Sequence, residues 1–330
     1  MKQKYLSLLI IGFALVVHVP AVQALASGPT CVDTVFKFQS NFWVNLHLFL
    51  RAEEWRRSGD IPPQMPVASL SPDERSAWEA ALDAYARMAK ANLIFDDGLV
   101  RLTNTLAEVN DSTVLKSNLI DPRIANALKG AAPVYRAHLW SEHQNEDEEW
   151  IVTHCPDIQR YDVGVKNSIG QALDATPPRE PILVDLARET GRTLAYTIPG
   201  PAGTSGHTVI APQKATDSEL VLNTILHEIS HTMDSRIRDD IDQAAARQQV
   251  KPPEDLWHAV TLYTTCEITK RALAKDGRPA TSLDTDRATM FERNGWQNIL
   301  TALKKDWQPY LNKRVSLSFA LQNLLRDTAK

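Results

Sequence analysis

The stretch Thr216-Asp217-Ser218-Glu219-Leu220-Val221-Leu222-Asn223-Thr224-Ile225-Leu226-His227-Glu228-Ile229-Ser230-His231-Thr232-Met233 decides the reading of this chain. Leu222, Ile225, Leu226, Ile229 and Met233 recur at helical spacing and form one apolar stripe that would seat a helix on a core. Thr216 and Glu219 frame a capping-box pattern at its start, so the spacing predicts a helix over 216–238. His227 and His231 stand four residues apart, on one helix face and away from the stripe.

Two imidazoles so placed can bind a single Zn²⁺, and the HExxH spacing sets Glu228 beside them as a base for a zinc-activated water. A structural zinc site closes with four protein ligands, whereas a hydrolytic one takes a third and leaves a position open to water. The candidates for the third, His258 and Glu267, lie on the next expected helix. They are nine residues apart, ~900° around a helix and thus on opposite faces, so only one can reach the same ion. His258 shares a polar strip with Thr261, Thr265 and Thr269, which suits a wet cleft and favours it as the ligand. Glu267 stays open as the alternative, because a carboxylate among Leu256, Val260 and Tyr263 needs a metal or a cation, for instance Arg271.

Outward from this helix, the second half carries β-prone runs at Pro181–Leu186, Thr193–Ile198 and Thr208–Ala211, separated by Gly and Pro clusters. Helical patterns follow over 254–274, 293–310 and 315–327. The first half reads as helical throughout, over 36–57, 71–92, 93–109 and 121–149. The expected class is α+β, predominantly helical, with a small sheet preceding the metal-bearing helix. A helical half at 27–176 and a metal-bearing half at 177–330 are expected to pack as one unit.

The 330 residues are 43% hydrophobic and 23% charged, which supports a sizeable core and argues against disorder. Residues 1–26 follow the plan of a secretory signal peptide, with Lys2 and Lys4, an apolar run from Leu6 to Val17, and Ala24-Leu25-Ala26 before Ser27. Export is therefore expected, to the periplasm or the medium, with no membrane attachment after cleavage. The formal charge of −4 becomes −6 once Lys2 and Lys4 are removed (34 basic against 40 acidic residues), which speaks against nucleic acid as a partner. Of the three cysteines, Cys31 and Cys155 are the favoured disulfide, and three buried thiols are the alternative.

The HEISH helix preceded by a strand resembles the zincin group of zinc metallopeptidases over residues 207–267. Asn41–His47, Tyr135–Trp140, Gly206–Ile210 and Leu256–Val260 are also similar to segments of an uncharacterised family of exported bacterial proteins that carry HExxH. The zincin resemblance implies hydrolysis of a peptide or protein substrate with Zn²⁺ as cofactor and Glu228 as catalytic base. It further implies an edge strand, placed at Thr208–Ala211, along which substrate pairs, and an oxyanion stabiliser for which Tyr263 and His207 are the candidates. An exported metal-binding or structural protein without activity, and a zinc hydrolase of a non-peptide bond, are the other readings. His138 and His143 are five residues apart, ~140° around a helix, and with His47 they read as packing residues.

Overall fold

In the computed structural model, the described residues are 31–88, 96–109, 113–115, 120–190, 195–198, 200, 206–212 and 217–329. The expected signal peptide over 1–26 with its boundary at Ser27, the start of the third helix at Leu93, the start of a strand at Thr193, and Thr216 all lie outside them.

The chain opens with a strand where a helix is expected. Phe36–Gln39 forms β1, and only from Phe42 to Ser58 does α1 run. Asn41 separates the two, since its side chain accepts from the amides of Trp43 and Val44 at 2.9 and 3.1 Å and so starts the helix. Buried Phe36 beside exposed Lys37 carries the strand alternation that the helical reading passed over. Helices α2 (Pro72–Tyr85), α3 (Asp97–Ala107) and α4 (Pro122–Tyr135) follow, each behind a side-chain cap: Ser71 with its Glu74 capping box, Asp96 and Asp121. A π-turn at Arg136–Trp140 joins α4 to the long α5, Ser141–Ala172, which continues well past the expected end at Glu149.

Strands β2 (Ile182–Leu186), β3 (Ala195–Ile198) and β4 (His207–Ile210) join β1 in a mixed sheet of order β1-β2-β4-β3. β1 and β4 flank β2 in parallel, and β3 runs antiparallel to β4. The strand expected at the edge, Thr208–Ala211, is therefore interior, and the edge beside it is β3. Parallel pairing of β1 with β2 also means that the two sequence halves build one sheet between them.

After the sheet come α6 (Ser218–Ser230), α7 (Asp234–Gln248), α8 (Leu256–Lys275) and α9 (Thr281–Arg293). The C-terminal part holds α10 (Gln297–Ala302), a π-turn at Leu303–Trp307, α11 (Gln308–Leu311) and α12 (Leu317–Thr328). The helix expected over 216–238 is thus two helices. Ser230 and Thr232 donate their hydroxyls to the carbonyls of His227 and Ile229, while residues 231–233 tighten into i→i−3 bonds, and this competition ends α6. Helix α9 was not expected, because its turns bury little apart from Leu283, Phe291 and Arg287.

Helices cover both faces of the sheet. Ile182, Val184, Leu186 and Ile210 face a core built with α5, α6, α8 and the C-terminal helices. Tyr196, Ile198 and Val209 face a second core with α1 to α4. Every residue of the expected stripe, Leu222, Ile225, Leu226, Ile229 and Met233, is buried in the first of these. Burial of such side chains contributes roughly 1.5–3 kcal/mol each. The protein is α+β and predominantly helical, and Cys31 pairs with Cys155 while Cys266 is a buried thiol. No helix among the described residues is long and apolar enough to cross a membrane.

Candidate metal centre

Asp217 caps α6 by accepting from the amide of Glu219 at 2.8 Å, a role expected of Thr216. The helix lies on the sheet through its buried stripe, which turns His227 and the C-capping His231 toward the first turn of α8. There His258 meets them. Nε2 of His227 is 3.2 Å from Nε2 of His258, and ligand atoms of His227, His231 and His258 all lie within 4.8 Å of one another. Tetrahedral zinc with Zn–N bonds of about 2.0–2.1 Å sets its nitrogens ~3.3–3.4 Å apart, a spacing that the His227–His258 pair approaches at 3.2 Å, and the three residues together could hold a metal ion.

The electrostatics agree with that fit. Burial pushes His227 well below the usual histidine range, and the neighbouring charges of His231 and His258 push it further. Burial, followed by the charge of His231, lowers His258 to about 4. Neutral imidazole is the ligand form. Nδ1 of His227 is buried without a protein partner, whereas Nδ1 of His231 is 3.1 Å from Asp234 Oδ2, which leaves His231 Nε2 facing the other two rings. Trp257 stacks near-parallel to His258 at 5.1 Å, and Trp296 meets it edge-on at 5.5 Å.

Glu228 is buried and tied to the sheet. Thr197 Oγ1 donates to its Oε2 at 2.8 Å and lies 3.0 Å from its backbone carbonyl, and Thr208 Oγ1 stands 2.9 Å behind Thr197. Thr197 and Thr208 are register partners on the sheet face that α6 covers. Burial raises the pKa of Glu228 above the carboxylate norm, opposed by the charge of His231 and the Thr197 bond.

Two expected contributors are elsewhere. His207 is the neighbour of Thr208 along β4 and points to the opposite face, where it contacts Asp185 Oδ2 at 2.7 Å and Asn104 Oδ1 at 3.0 Å. Strand alternation thus removes it from the oxyanion role. Tyr263 donates to Gln308 Oε1 at 2.6 Å under the Arg287 guanidinium, so its hydroxyl is committed to a structural network. Glu267 belongs to that same network, bound by Arg287 and by Gln308 Nε2 at 3.2 Å, and is not one of the clustered ligands. Its expected partner Arg271 instead donates to Leu311 O and Asn312 Oδ1.

His47, His138 and His143 pack against neighbouring helices, as expected. His47 and His143 share 2.8 Å hydrogen bonds with the hydroxyls of Tyr85 and Tyr135, and His138 sits 3.0 Å from Glu74. Sequence reasoning did not single out Thr197, Arg238 or Trp296. Alternation along Ala195–Ile198 could have placed Thr197 beside Thr208, but nothing local tied either residue to Glu228. Comparison of the chain with protein-family models, with curated proteins and with solved structures returns no match.

Proposed function

We propose that this protein is an exported zinc-dependent hydrolase, most consistent with a metallopeptidase, in which His227, His231 and His258 hold the ion and Glu228 is the catalytic base. The observation that carries this reading is the convergence of three imidazoles from α6 and α8 within 4.8 Å, beside a buried carboxylate one residue along from the first of them. Bound zinc supplies Lewis acidity, polarising the bond under attack and acidifying the attacking water.

The chain's own residues supply the rest. Glu228, held by Thr197, takes up the proton of the attacking water and passes it to the leaving group. Burial has raised the affinity of Glu228 for that proton. The outer side of β3 has no strand partner among the described residues, and in this reading it is where an extended chain would add. That edge adjoins the base through Thr197, which favours a peptide or protein substrate over a small ester or amide. The Cys31–Cys155 disulfide accords with an oxidising, extracytoplasmic compartment.

The test is the metal content of protein purified without chelators and supplied with zinc, wild type beside His227→Ala. One zinc per wild-type chain and loss in the variant are expected. A wild type without stoichiometric zinc overturns the proposal. Zinc without cleavage of any peptide, ester or amide across a broad panel transfers the reading to a metal-binding protein.

A further inference from the structure

We infer that Asp234 and Arg238, one turn apart on α7, form a strut that sets His231 and His258 in ligand orientation before any ion arrives. The inference rests on the zinc reading above and adds two positioning residues to it. The first contact is between His231 Nδ1 and Asp234 Oδ2 at 3.1 Å, with side chains only 14% and 9% exposed. A carboxylate only accepts, so this contact places the imidazole proton on Nδ1 and leaves the Nε2 lone pair turned toward His227 and His258. Ligand histidines are commonly held through their second nitrogen in this way, which fixes both tautomer and ring plane.

Arg238 extends the strut. Its Nη2 donates to the same Asp234 oxygen at 2.9 Å, so the carboxylate keeps its charge partner, and its guanidinium lies over the Trp257 ring. Trp257 in turn stacks on His258 with ring centroids 5.1 Å apart and 22° between planes. One continuous set of contacts therefore runs from a ligand at the end of α6, through α7, to the ligand on α8. The break at residues 231–233 ends α6 and starts α7 at Asp234, three residues beyond His231.

Two readouts test the strut. Long-range ¹H–¹⁵N NMR on the metal-free protein reports the His231 tautomer, and competition with a chromophoric chelator reports zinc affinity. We expect wild-type His231 to be protonated at Nδ1, and Asp234→Ala to lose that preference and bind zinc roughly 10- to 100-fold more weakly. Asp234→Asn, which keeps the size and an accepting oxygen, should fall between the two, and Arg238→Ala should weaken zinc several-fold while leaving the His231 tautomer in place. Thermal melting of each metal-free variant accompanies the titration, and Asp234→Asn serves if Asp234→Ala does not fold. A wild-type His231 protonated at Nε2, or a folded Asp234→Ala whose zinc affinity stays within about twofold of wild type, overturns the strut. A wild type that binds no zinc overturns the metal reading instead, while its tautomer still reports on the Asp234 contact.

Discussion

The hydroxyl of Thr197, on the edge strand, donates a 2.8 Å hydrogen bond to the carboxylate of Glu228, on the helix that bears the histidine pair. The edge strand and the buried carboxylate are thereby joined by one side chain, backed by Thr208 at 2.9 Å. A buried carboxylate that loses its donor keeps its desolvation cost, and bonds to charged groups contribute about 1.5–3 kcal/mol. Thr197→Val should therefore lower stability by an amount of that order in denaturant titrations, whereas Thr197→Ser should stay close to wild type. Equal stability of Val and Ser variants would show that the bond contributes nothing.

Glu228→Gln preserves the size and the helix while removing the base. The variant should keep its zinc and lose about 10²- to 10⁴-fold in hydrolysis, the usual loss when general acid–base help is removed. Single-turnover rates on zinc-loaded wild type and variant measure this, and undiminished cleavage by Glu228→Gln would remove Glu228 from the mechanism.

The third ligand separates His258 from Glu267 by metal content. His258→Ala should lose zinc, since the remaining two imidazoles make an incomplete site. Glu267→Gln should retain it, because that carboxylate is spent on Arg287 and Gln308. Elemental analysis of the two variants decides, and the reverse pattern would hand the role to Glu267.

Protons and zinc compete for the same nitrogens. Burial holds His227 well below the ordinary histidine range and His258 at about 4, so both are neutral across the mildly acidic range and give up no proton to the ion there. Calorimetric titration at about pH 5.5, repeated in buffers of different ionisation heat, should count at most about one proton released per zinc. Affinity falls further as the pH approaches 4, where His258 charges. Release of two or more protons at the higher pH would contradict the burial argument.

Much of this was legible in local pattern. The stripe from Leu222 to Met233 placed α6 on the core, and the i, i+4 spacing placed His227 and His231 together, because helical geometry converts sequence distance directly into spatial distance. The three β-prone runs around residues 181–211 each hold a strand. The polar strip on α8 favoured His258 over Glu267, and His258 is the one that clusters with His227 and His231, although Thr261, Thr265 and Thr269 are buried and do not line the wet cleft expected of them.

Tertiary structure decided the remainder, for reasons local pattern does not carry. Phe36–Gln39 became a strand because β2 lies beside it from residues far along the chain, and no helix-breaking residue announced the change before Asn41. Whether a strand is interior or an edge depends on the order of pairing, which put Ala195–Ile198 at the rim and Thr208 inside. His207 went to the far face because one step along a strand reverses the side chain, so a histidine adjacent to the site in sequence is separated from it by the sheet. Thr197 reached Glu228, and Arg238 reached Trp257, only through the packing of separate elements, whereas the His231–Asp234 and Asp234–Arg238 contacts are local, at i, i+3 and i, i+4. The sequence by itself placed His227 and His231 one turn apart on a helix; the fold decided that His258 and not Glu267 joins them and that Thr197 and Thr208 share the sheet face of Glu228.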